Sequence, residues 1–162
     1  MNYSVRYGKR QLSLTVDEKR VVGVLSPRPV KSIIDISRAV RSALRRPIAS
    51  PSLDDLLAGK RTALIATVDH TRPSPRELIL PILEACQRCD VKATIIIAIG
   101  RHRQMTKREL KLHLGADILK SNVVIQHDPF DDTAILKKGR TARGTPIWVN
   151  NVVREHDVII GT

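Results

Sequence analysis

Three apolar runs, ALIATV (63–68), ATIIIAI (93–99) and NVVIQ (122–126), lack the polar–apolar alternation of a half-exposed strand. Such runs fit strands covered on both faces, as in a parallel sheet. Helical start signals lie between them. Ser74 opens an S-x-x-E pattern with Glu77 and places Pro75 first in the helix. This predicts a capping box and a helix to about Arg88, bent where Pro81 lacks its backbone donor. Thr106 is placed to cap a second helix rich in Lys, Arg and Leu. The alternation predicts an α/β fold, a mostly parallel sheet flanked by helices in a Rossmann-like three-layer arrangement. TAILKK, PIWVN and DVIIG read as further strands, some antiparallel at an edge.

Near the N-terminus, LSLTV and VVGVL flank the turn-prone DEKR, which predicts a β-hairpin. SPRPV (26–30) reads as a linker. In the helix that follows, Ile33, Ile36, Val40 and Ala43 or Leu44 share one face, while Arg38, Arg41 and Arg45 form a solvated basic face. RPIASPS (46–52) breaks this helix, and Ser52 caps a short turn that Gly59 ends. No repeat or low-complexity tract is present.

With 162 residues, 42% of them hydrophobic and 27% charged, residues 1–162 read as one globular α/β domain. No run approaches the roughly 18 apolar residues of a membrane span. The N-terminal stretch lacks the apolar segment of a secretory signal, so with two cysteines the expectation is cytoplasmic, with no membrane partner. The net charge of +12 raises nucleic acid, anionic small molecules or a partner surface as ligands. One Phe, one Trp and two Tyr cannot build a row of base-stacking platforms, which argues against a single-strand binder. A basic nucleic-acid-binding or other anion-binding module without catalysis stays as the alternative function, recognisable by steep salt dependence.

The candidate chemistry follows the buried strands: Asp69-His70-Thr71-Arg72 after the first, Gly100-Arg101-His102-Arg103 after the second, His127-Asp128 after the third. Ligands of open α/β sheets bind outside the carboxyl ends of the strands. An arginine there can grip a carboxylate with two parallel hydrogen bonds, and a histidine can exchange a proton with a hydroxyl. Gly100 allows close approach of a ligand or serves the turn. Structural readings stand beside these: an Asx-turn at Asp69 with Arg72 on the surface, packing for His70, and a turn at His127-Asp128. His113, mid-helix, and His156 are assigned no function. Cys86-Gln-Arg-Cys89 lacks a second ligand pair for zinc and sits at a helix end rather than a helix start, so neither metal nor redox function is assigned. There is no P-loop and no G-x-G-x-x-G pattern.

DHTRPSP with LPIL, IGRHRQMTKREL, HDPFDD and GTPIWVN, together with RRPIASPSLDDLL and EHDVIIGT, resembles the N-terminal domain of the nickel-pincer lactate racemase family over essentially the whole chain. The more specific part is D-H-T-R-P after a strand with G-x-H-R about thirty residues on. The resemblance implies half of a two-domain isomerase that takes a hydride from Cα of a small anionic 2-hydroxy acid onto a nickel-pincer nucleotide. It implies catalysis by His102 as an acid–base group and carboxylate binding by Arg72 with Asp69 beside it. His70, Thr71, Gly100, Arg103 and His127 are expected to line the site, with no metal ligand among them. Arg101 and Gln104 stand where relatives often carry an aromatic and a proline, so the 2-hydroxy acid need not be lactate. In the family, the second histidine, the cofactor-tethering lysine and the nickel-ligating histidine lie beyond the segment matched here. The expectation is therefore that the C-terminal catalytic domain joins in cis or in trans, that this chain anchors no cofactor covalently, and that alone it is inactive. A degenerate domain kept only for assembly is a third reading.

Overall fold

The computed structural model describes residues 1–162, which divide into two units, Met1–Ser32 and Ile33–Thr162. In the first, β1 (Asn2–Tyr7) and β2 (Arg10–Thr15) form an antiparallel hairpin closed at Gly8-Lys9. A hairpin is present, but its strands are not the expected pair. LSLTV pairs with the upstream NYSVRY, because the tight turn lies at Tyr7–Arg10. The Asp17 carboxylate accepts from the Lys19 backbone N–H and folds Glu18–Arg20 into a 3-10 turn, and VVGVL joins no strand. Cross-strand neighbours share a face, so Tyr3, Val5, Leu12 and Leu14 lie on one side and Ser4, Arg6, Gln11 and Ser13 on the other. No residue of this unit is buried.

The second unit opens with α1 (Ile36–Arg45), capped by Asp35, whose carboxylate accepts from the Arg38 N–H at 2.8 Å. Ile33 lies outside the helix and is exposed. The basic face is not wholly solvated, because Arg41 makes a two-pronged ion pair with Glu84 at 2.8 and 3.0 Å. Ser52 and Asp55 form a reciprocal capping box at α2 (Leu53–Leu57). Then follow β3 (Thr62–Thr67), α3 (Arg76–Arg88), β4 (Lys92–Ile97), α4 (Lys107–Leu114), α5 (Ala116–Ser121), β5 (Val123–Gln126), β6 (Ile135–Arg140), β7 (Pro146–Asn150) and β8 (Val158–Gly161).

The main sheet has the order β5-β4-β3-β8 with every pair parallel, so DVIIG completes the parallel sheet, whereas β6 and β7 form a separate antiparallel pair. Its larger core joins α2–α5 to one face through Leu57, Ile65, Ile79, Ile95, Ile97 and Leu114. Full burial of such side chains contributes about 1.5–3 kcal/mol each. The other face carries a smaller cluster of Leu64, Ile96 and Val152, the last from a 3-10 turn at Asn151–Arg154. Gly115 separates α4 from α5 at φ +96°, a conformation that a side chain rarely adopts. No helix is long and apolar enough to cross a membrane.

The capping box expected at Ser74 does not form. Ser74 Oγ instead donates to the His113 carbonyl at 2.6 Å, and Arg76 is the first residue of the helix. Arg76 reaches the same region, donating to the Leu114 carbonyl at 2.9 Å and pairing with Asp117 at 2.7 and 2.8 Å. The buried His113 donates from Nε2 to the Val68 carbonyl at 2.9 Å. The segment joining β3 to α3 is thereby clipped at both ends to α4, its C-terminal carbonyls and α5.

Candidate functional site

The parallel register places Thr67 opposite Ile97, so the loops leaving β3 and β4 emerge side by side. After β3, Asp69 turns the chain. Its backbone carbonyl accepts from Arg72 N at 3.1 Å, and its Oδ1 accepts from Thr71 N at 3.0 Å and from Thr71 Oγ at 2.6 Å. After β4, a turn from Ile99 to His102 forms around Gly100 at φ +58°. A Cβ on Gly100 would meet no protein atom within 4 Å, so it is the positive φ of the turn, not crowding by the protein, that favours glycine there.

These two turns bring His102 Nδ1 to 2.6 Å from Asp69 Oδ2, across 33 residues of sequence. Asp69 is buried, at 3% exposure. Burial pushes its pKa up, but bonds from the Thr71 hydroxyl, His102 and the Thr71 N–H outweigh burial and lower it from 3.8 to about 2. An ionised carboxylate only accepts hydrogen bonds, so the proton between the two groups sits on His102 Nδ1. In neutral His102 the lone pair is therefore on Nε2, and the side chain is 56% exposed. The arrangement is a base oriented by a carboxylate, with its reactive nitrogen turned away from the pair.

Val68, Asp69, Thr71, Arg72, Ile99, Gly100, Arg101 and His102 are among the residues lining a shallow crevice of about 310 Å³. Arg72 is exposed; its guanidinium donates only to the Thr71 carbonyl, at 3.4 Å, and pairs with no carboxylate. It is thus available to an anion. Arg101 lies over the Phe130 ring at 5.6 Å, a contact that the sequence did not reveal. A larger cavity of about 620 Å³ sits at the opposite, amino ends of the strands, lined by residues such as Arg61, Lys92 and Asn122. It contains no histidine.

Several residues expected to line the site are engaged elsewhere. Arg103 makes a two-pronged bond to Glu109 at 2.6 and 2.9 Å, within the first turn of α4. His127 Nδ1 meets the Asn150 amide nitrogen at 3.1 Å, and the Asn150 oxygen accepts from Val152 N. That second bond fixes the amide so that it donates to His127, which carries its neutral-state proton on Nε2. His70 does not line the crevice, and its Nδ1 is buried without a hydrogen-bond partner. No group of three or more His, Cys, Asp or Glu is placed to hold a metal ion. With Asp69 already committed, His102 Nε2 is the free nitrogen donor of the crevice, and the crevice contains no lysine.

The sequence profile described as Lactate racemase N-terminal domain matches residues 7–162. Lactate racemase of Lactiplantibacillus plantarum is 32% identical over 159 residues, a match spanning 95% of this chain and 38% of that protein. Lactate racemase of Thermoanaerobacterium thermosaccharolyticum is 30% identical over 166 residues, spanning 98% and 38%. The structure of the lactate racemase apoprotein from T. thermosaccharolyticum aligns with a TM-score of 0.85 at 29% identity, covering 99% of this chain and 38% of that one.

Proposed function

Because the chain belongs to the lactate racemase N-terminal domain family, we propose that it supplies the substrate-handling side of a 2-hydroxy acid racemase or epimerase site. The observation that carries this reading is the Asp69–His102 pair at 2.6 Å beside the unpaired Arg72. A 2-hydroxy acid has a carboxylate and, one carbon away, a hydroxyl. Arg72 binds the carboxylate through charge-assisted hydrogen bonds. His102 Nε2 takes the hydroxyl proton as the carbon–oxygen bond gains carbonyl character, and returns it on the reverse path. Asp69 keeps the ring in the tautomer that can accept that proton and stabilises the imidazolium once formed. Thr71 holds Asp69.

Inversion at Cα also requires an acceptor for the hydrogen on carbon, and none of the crevice residues serves as one. The nickel-pincer group implied by the sequence resemblance would supply that acceptor; the crevice holds no lysine to tether it, so in this reading its tether comes from outside these residues. The chain spans 38% of the curated relatives' length, so the partner in this reading is a further domain, in cis or in trans. The 162 residues alone are expected to bind a 2-hydroxy acid without interconverting its enantiomers.

The test is titration of the isotopically labelled chain with D-lactate, L-lactate and acetate, followed by amide NMR. Shifts are expected at residues 68–72 and 99–103, and Arg72→Ala should weaken binding about ten- to a hundredfold, the range of a charge-assisted pair. Shifts confined to other parts of the chain, or unchanged affinity in the variant, would remove Arg72 from the assignment.

A further inference from the structure

We propose that residues 1–32 are a docking arm whose apolar hairpin face packs onto an apolar, carboxylate-rimmed surface of the further part of a lactate racemase-type polypeptide. The proposal rests on the reading above that a further domain joins this one.

The arm has an apolar face but no core. None of its residues is buried, although Tyr3, Val5, Leu12 and Leu14 share one hairpin face while the opposite face is polar. A lone two-stranded hairpin is marginal in water, and strands with segregated faces gain stability when the apolar face is covered. The segment after it continues the pattern, with Val22 at 106% and Leu25 at 101% exposure. Isolated exposed apolar residues are ordinary, whereas a concentration of them in one unit marks an interaction surface.

Charge selects the occupant. Residues 1–16 carry Arg6, Lys9 and Arg10 and no acidic residue. A second copy of the arm would oppose like charges, whereas a surface rimmed by Asp or Glu would not. Length points the same way. The lactate racemase apoprotein aligns with 99% of this chain, so nearly all of the arm has a counterpart there, in a polypeptide of which this chain spans 38%.

Hydrogen–deuterium exchange tests the proposal on the 162-residue chain and on the same chain continued by the unmatched remainder of the L. plantarum lactate racemase. In the chain alone, β1 and β2 amides should exchange near the rate of an unstructured peptide. In the continued chain they should be protected by at least about 100-fold. Leu12→Lys with Leu14→Lys should abolish that gain, while Ser4→Lys with Ser13→Lys on the polar face should leave it. Three outcomes overturn the proposal: an unprotected hairpin in the continued chain, equal effects of the two variant pairs, or concentration-dependent protection in the chain alone, which would assign the face to a second copy. Racemase activity of the continued chain is read separately. An active protein with an unprotected arm refutes only the arm, and a protected arm in a protein that stays inactive when supplied with its cofactor refutes only the function.

Discussion

Replacing Asp69 by Asn tests the site at its most constrained point. The change keeps the shape and leaves an oxygen that can still accept from Thr71, but removes the charge that holds His102. The carboxyl is lowered from 3.8 to about 2 in the folded chain. At about 1.36 kcal/mol per unit this corresponds to roughly 2 kcal/mol, which solvent around the half-exposed His102 reduces to about 1–2 kcal/mol. Because the folded-state value is the lower one, this stabilisation is complete above about pH 4 and is lost as pH falls toward 2. Urea unfolding at pH 7 should therefore show the variant less stable by about 1–2 kcal/mol, with the gap closing near pH 2. Nitrogen NMR of His102 supplies a second readout. Parent protein should show the neutral ring protonated at Nδ1, whereas the Asn variant, able to donate from its amide, should shift the proton to Nε2. A deficit that is the same at pH 2 and pH 7, or an unchanged tautomer, would refute the reasoning.

Gly100→Ala forces a side chain into the left-handed region with no clash to relieve, so urea unfolding should show a loss of about 1–2 kcal/mol. An unchanged midpoint would mean that the turn tolerates another conformation. Cys86 is buried, and burial followed by the neighbouring Cys89 raises its pKa to about 11. At pH 7.5 it should resist alkylation in the folded chain and react once urea unfolds it, with mass spectrometry as the check.

The parallel strands were legible because strands covered on both faces leave uninterrupted apolar runs, and once β3 and β4 are parallel neighbours their carboxyl-end loops must converge. That reasoning placed Asp69, Arg72 and His102 in one region. The contact between Asp69 and His102 required the structure, since nothing in the spacing of 33 residues says that Oδ2 meets Nδ1. Elsewhere, distant partners overrode local signals. Ser74 has the sequence of a capping box, yet its hydroxyl is drawn to the His113 carbonyl. Arg103 and His127 sit at the expected strand ends but are claimed by Glu109 and Asn150. The hairpin was displaced by one strand because LSLTV can pair on either side, and the choice belongs to the turn at Gly8. His113, expected mid-helix and given no function, sits in the last turn of α4 and anchors the segment that carries Asp69 and Arg72.

That anchoring separates what the segment 68–76 must keep from what it is free to change. Its fixed points are the Val68 carbonyl, the Ser74 hydroxyl and the Arg76 guanidinium, all tied to α4, its C-terminal carbonyls and α5. The Arg72 side chain takes no part in them. Neither does that of Arg101 on the neighbouring turn, so on the reading proposed above a change at Arg101 can alter which 2-hydroxy acid the crevice prefers, with Arg72 still holding the carboxylate, while the scaffold stays in place. Such a division lets ligand preference diverge by single steps without each step being filtered first for folding.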